Sequence, residues 1–348
     1  MRTVRTRRLF SLVPLAVRSA VALALVGCRV DSTGAPGRAV GAAGRASLAA
    51  DKAPQFSAWS EPVNLGPTIN TSPYNDQQAA LSKDGLTMFF ASTRPERRDD
   101  GVFDQNIWVS RRACADESCP WGTPVSLGSI FNSSVSDFAP ALSRDGHQLF
   151  FASNRSTGVT GASDIWVSRR QNVHDDLDWE APEELGPGVN TSGFEGGPSY
   201  FENDEGGGAQ LYFNHNPAPV NTGGDIYVST QAADGSWGDA VPVTELNSAA
   251  SEQRPSISHD GRTIYFYSNR PGSSSDDIWV ATRADVASPW TAPINLGAPI
   301  NTAADERHPL IYSHGETERL FFARNVATPP AVDLDLFVST RTRVRNVP

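Results

Sequence analysis

One phrase is written five times along this chain: "NIWVSRR" (106–112), "DIWVSRR" (164–170), "DIYVST" (225–230), "DIWVAT" (277–282) and "DLFVST" (335–340). A repeat of this length constrains the fold more than any other feature. It marks one supersecondary unit that cannot bury its apolar face alone and must stack on copies of itself. In register, the phrase belongs to a longer sentence. A unit opens as in "SDFAPALSRDG" (136–146), continues "HQLFFASNR" (147–155), passes through "DIWVSRR" and closes on "WEAPEELGPGVNTS" (179–192). The closing tryptophans Trp59, Trp121, Trp179, Trp237 and Trp290 are spaced by 62, 58, 58 and 53 residues.

Each unit reads as four short strands. Segments such as "FFAS" and "DIWVS" are aromatic and β-branched, and Asp-Gly at 84–85, 145–146 and 260–261 is a hairpin turn signal. No segment after residue 50 carries a helical period. The expected fold is therefore all-β, a five-bladed β-propeller of four-stranded antiparallel blades. A Trp-bearing strand, "FSAWSEPVNLG" (56–66), precedes the first full unit, and the chain stops after "DLFVST" without another copy. The N-terminal strand is thus expected to complete the last blade, closing the ring and removing an open edge.

The pattern Pro-x-x-Ser-x-Asp-Gly, Phe-x-Ser-x-Arg, Asp-Ile-Trp/Tyr-Val resembles the TolB-type, WD40-like propeller repeat of bacterial envelope proteins. The resemblance covers residues 56–342. It implies a fold and leaves function open, because propellers host many chemistries. Neither the α/β domain that precedes the TolB propeller nor an OmpA-type peptidoglycan-binding domain has a counterpart here.

Residues 1–27 read as a secretory signal: Arg2, Arg5, Arg7 and Arg8 form a basic head, followed by the short apolar run "SAVALALVG" (19–27). It ends in "LVGC", which resembles a lipobox and implies lipidation at Cys28. Arg29 follows, so the aspartate signal for inner-membrane retention is absent and an outer-membrane lipoprotein of the cell envelope is expected. Residues 28–55, rich in Gly and Ala, read as a flexible tether, and 56–345 as the propeller. Loss of the five leader arginines takes the net charge from −10 to −15. Such a chain repels phosphate backbones and anionic headgroups, which excludes nucleic acid as a partner and leaves the lipid as the membrane link. Cys114 and Cys119 are expected to form a local disulfide, since an exported chain with no neighbouring Cys or His offers them no zinc site.

Most of the conspicuous residues serve the repeat. All eight tryptophans occupy repeat positions, which leaves none as a sugar platform. Asn70, Asn132, Asn190, Asn247 and Asn301 hold one equivalent place and are expected to staple loops between blades. Arg94, Arg155 and Arg270 close the second strand and are expected to pair with acids such as Asp164 or Asp277. The residues left for function are Asp76, Asp137, Glu195, Glu252 and Glu306, one carboxylate at the start of each innermost strand. At a channel mouth, neighbours ~8 Å apart repel by ~1 kcal/mol per pair at an effective dielectric of about 40. The ring is thus a candidate site for Ca²⁺ or a basic group, unless each acid is absorbed by backbone N–H groups of its own blade. No other cofactor is expected.

Without a recognisable nucleophile, phosphate loop or metal cluster, the primary expectation is a non-enzymatic binding or scaffold module for an envelope protein, peptide or glycan. The alternative is a glycoside hydrolase of the five-bladed arabinanase or invertase type. Asp76, Asp137 and Glu195 or Glu252 would then act as base, modulator and acid. A channel filled by water or Ca²⁺ for structural reasons alone is a third reading.

Overall fold

The computed structural model describes residues 55–95, 104–155, 163–217, 223–327 and 331–344. The signal, Cys28 and the tether lie outside the described residues, as do most of the long connections between second and third strands. Twenty strands form five four-stranded antiparallel sheets and there is no helix among the described residues. Blade two shows the plan: Asp137–Leu142 innermost, then Gln148–Ser153, Asp164–Arg169 and the short outer Glu183–Glu184. In blade five the outer strand is Val63–Asn64, paired with Leu334–Thr342 through Val63↔Val338 and Asn64↔Phe337. The ring is closed by the first strand, as the displaced Trp59 copy predicts.

Alternation of apolar residues along the second and third strands sends side chains to both faces of each blade, so the core is a set of layers between blades. One layer joins Phe89 and Ile107 of blade one to Phe151, Trp166 and Trp179 of blade two. The closing tryptophans sit in such layers, and all but Trp237 lie beneath an arginine at the end of a third strand. Arg112 lies over Trp121 at 4.4 Å, Arg170 over Trp179 at 4.4 Å, Arg283 over Trp290 at 4.3 Å and Arg341 over Trp59 at 4.4 Å. These stacks explain why "WVSRR" ends in arginine: the cation covers indole surface while its N–H groups reach backbone carbonyls, as Arg112 Nε does to Gly85 O at 2.8 Å.

The repeated asparagines bind the third strand through both backbone groups of one residue. Asn132 accepts from the Ile107 amide at 2.9 Å and donates to its carbonyl at 3.1 Å, and Asn190 does the same at Ile165. Asn70 makes the equivalent pair with Leu336 of the last blade, so ring closure rests on a side chain as well as a strand.

Candidate functional site

All five inner-strand carboxylates have fully buried side chains, and each is saturated inside its own blade. Asp76 accepts from the Thr71 amide at 2.7 Å and from Arg94 Nη2 at 2.6 Å. Asp137 accepts from Ser133, Ser153 and Arg155, the last at 2.6 Å. Glu252 holds Ser248, Ser268 and Arg270; Glu306 holds Thr302 and Arg324. In blade three His215 replaces the arginine, with Nδ1 2.6 Å from Glu195. The arginines therefore pair with these acids rather than with Asp164 or Asp277, which corrects the sequence expectation. Arg324 turns out to follow the pattern as well. The basic group such a ring requires is supplied by the blade itself, and the same guanidinium stacks on two rings, as Arg155 does on Phe151 and Trp166. A readable signal was present: an Asn-Thr or Asn-Ser pair precedes every acid, and its hydroxyl residue is the one that caps the carboxylate.

The open space lies elsewhere. Every inner strand carries a β-bulge whose central residue has a positive φ: Gln78 (60°), Ala139 (54°), Gly197 (58°), Arg254 (53°) and His308 (55°). A central cavity of about 1250 Å³ begins at these five residues and runs to the turns between first and second strands. None of the five carboxylates lines it. The space thus occupies the turn half of the channel, opposite to the end where the strands start and where sequence reasoning placed the site.

The cavity wall breaks the fivefold repeat, as a site for an asymmetric ligand must. At its rim, blade three replaces the turn Ser-x-Asp-Gly by "FENDEGGG", which puts Glu202 beside the Asp145 turn of blade two. The Arg144 amide donates to Glu202 at 3.2 Å. Burial, then repulsion from Asp145, hold the Glu202 carboxyl above its usual value. Burial pulls Asp145 upward too, but the Ser143 hydroxyl at 2.6 Å, the His147 amide at 3.0 Å and the charge of His147 outweigh it and leave Asp145 low. One carboxyl is inclined to keep its proton and its neighbour to lose it, the division that acid–base work requires.

At the inner end stand Arg254 and His308. Arg254 reaches across from blade four to lie over Phe138 of blade two at 5.1 Å. It passes so close to Gly197 that a Cβ there would meet its Cδ at 2.4 Å. Only glycine fits at 197. His308 packs edge-on to Tyr267 with centroids 5.3 Å apart.

Cys114 and Cys119 form a disulfide in the third hairpin of blade one. With Asp116 they are the one group of three close metal-type donors among the described residues, and the disulfide already engages both sulfurs. For Ca²⁺, one candidate occupant of the acidic ring, the donors present do not fit: their oxygens are engaged by Ser, Thr, Arg and His within separate blades.

No protein-family profile matches the sequence, and no curated relative matches it. Solved structures do match the fold. An α-L-arabinofuranosidase from Lactobacillus brevis aligns with TM-score 0.54 at 15% identity, covering 80% of this chain and 94% of that one. The catalytic domain of a GH62 α-L-arabinofuranosidase from Coprinopsis cinerea aligns with TM-score 0.54 at 13% identity, covering 83% and 98%. A levansucrase complexed with sucrose aligns with TM-score 0.50 at 11% identity, covering 82% and 88%. At this identity the likeness establishes the five-bladed architecture. It also overturns the TolB-type assignment, because the structures this chain resembles are glycoside hydrolase propellers. The expectations of a non-enzymatic scaffold and of a protein that is no enzyme fall with it, and the stated alternative fits the neighbours better.

Proposed function

We propose that this chain is a glycan-acting enzyme of the glycoside hydrolase kind, with substrate entering the cavity from the turn face. The observation that carries the reading is the Glu202–Asp145 pair at the rim of that cavity, two neighbouring carboxyls whose surroundings push their proton affinities apart. Glycosidic cleavage needs one carboxylic acid and one carboxylate. Glu202 would protonate the leaving oxygen as the glycosidic bond breaks, while Asp145 takes a proton from the water that attacks the anomeric carbon. Asp76, Asp137, Glu195 and Glu252 are excluded from these roles by burial and by their partners. The lipobox-like "LVGC" supports attachment at the envelope through Cys28, where a polymeric glycan would be met outside the cytoplasm.

The test is release of reducing sugar from arabinan, arabinoxylan, levan and acidic polysaccharides. Turnover should fall ~10²-fold or more in Glu202→Gln and Asp145→Asn, the usual scale for a general acid or base. Turnover by the parent that both variants retain would reject the assignment.

A further inference from the structure

Arg254 is a half-buried cation without an anion. Its Nε and Nη1 are shut off from solvent and have no hydrogen-bond partner, and no carboxylate among the described residues pairs with it. Burial, offset in part by Tyr267, pushes its guanidinium down to about 10. Beside it the Nδ1 of His308 is also buried and unpartnered. Burial, with the charges of Arg254 and Arg307, holds His308 well below the usual imidazole range. Arg307 itself is neutralised by Asp276 and Asp305, at 2.7 and 3.2 Å.

The other cations that line the cavity differ from Arg254. Arg111 and Arg170 pair with Asp176, Arg144 meets Asp204 at 3.6 Å, Arg112 is spent on carbonyls and Trp121, and Lys83 is exposed in a turn at the rim. The acids that line it, Asp84, Asp145 and Glu202, all stand at the turn rim. The inner end is therefore positive and lacks a counter-charge, in a chain of net charge −10. Leaving a guanidinium desolvated and unpaired is costly, and proteins normally avoid it. The repeat did not impose it: the equivalent positions hold Gln78, Ala139, Gly197 and His308, and Gly197 is cut back to make room.

We infer that the inner end of the cavity, at Arg254 and His308, is a subsite for an anionic sugar group, so that the glycan taken by this site is acidic, carrying uronate carboxylates or sulfate esters. Either group offers a fork of oxygens to the guanidinium. The inference rests on the glycan reading of the cavity but names a property that hydrolysis does not test.

The experiment is calorimetric titration of the full chain with an oligogalacturonate, a sulfated oligosaccharide, a neutral arabino-oligosaccharide of equal length and inorganic sulfate. The parent should bind one of the acidic oligosaccharides at least ~10-fold more tightly than the neutral one, and the stronger of the two identifies the group. Arg254→Met should abolish that preference, while Arg254→Lys, which keeps the charge, should retain part of it. Without ligand, Arg254→Met should melt close to the parent, since the arginine has no ion pair to lose and the methionine side chain can still cover Phe138. Equal binding of acidic and neutral sugars, or a preference that survives Arg254→Met, would overturn the subsite. Inorganic sulfate competing as well as the oligosaccharide would overturn the glycan part. Binding of an acidic glycan without turnover would remove the hydrolase reading and leave this one standing.

Discussion

Replacing Asp137 with asparagine keeps the shape of the side chain and removes the charge from the most fully bonded of the five repeated carboxylates. The buried group accepts from Ser133 Oγ at 2.7 Å, Ser153 Oγ at 2.5 Å and Arg155 Nη2 at 2.6 Å, and from the Ser133 amide. Asparagine offers one oxygen, so its NH₂ must face either the Ser133 amide or the guanidinium, donor against donor. Breaking a buried pair costs about 3–5 kcal/mol. Arg155 is 19% exposed and can recover some hydration, which points to the lower end, about 3 kcal/mol. For a domain this large, roughly 2 °C per kcal/mol gives a fall in Tm of about 6 °C. Calorimetry or circular dichroism reads this directly, with Glu183→Gln as the comparison. Glu183 meets Arg169 at 2.6 Å, but the two side chains are 70% and 48% exposed, and such a pair contributes about 0–1 kcal/mol. Equal effects of the two substitutions would refute the claim that the acidic positions are structural.

Asp164 carries a buried Oδ1 without a partner, and burial, with repulsion from Glu184 and Glu195, raises its carboxyl to about 6. The folded state thus holds a proton that the unfolded chain gives up near 3.8, so stability is complete below about 3.8 and is lost as pH rises through about 6. Asp164→Asn should match the parent at pH 4 and melt higher at pH 7; a gap that fails to open between those values would contradict it. Cys28→Ala should release the protein from the membrane fraction and abolish fatty-acid labelling, and unchanged fractionation would remove the lipid anchor. If Glu202 and Asp145 are the acid and the base, activity should fall on both sides of an optimum, with the alkaline limb displaced upward by the raised Glu202. A limb unaltered in Glu202→Gln would argue against that role.

The fold was legible because the repeat is written in residue types with single structural meanings. Asp-Gly marks turns, β-branched and aromatic runs mark strands, and the displaced Trp59 reports how the ring closes. The site was legible only in part. A carboxylate at every inner-strand start looks like a ring at a mouth until its neighbours are placed. The same blade brings Arg94, Arg155, Arg270, Arg324 or His215 onto it from the second strand, a contact set by register and not by proximity in sequence. The cavity-forming residues were missed for a related reason. Gln78, Ala139, Gly197, Arg254 and His308 share a repeat position but no chemistry, and their left-handed bulge has no signature in residue type. What marks them, and Glu202 with them, is departure from the repeat.

The most direct measurement is a crystal structure of the Glu202→Gln protein soaked with an oligosaccharide. The account predicts sugar in the cavity on the turn face, with the scissile bond between residues 202 and 145 and an acidic group turned toward Arg254. Sugar bound instead at the opposite mouth, over Asp76, Asp137, Glu195, Glu252 and Glu306, would contradict it.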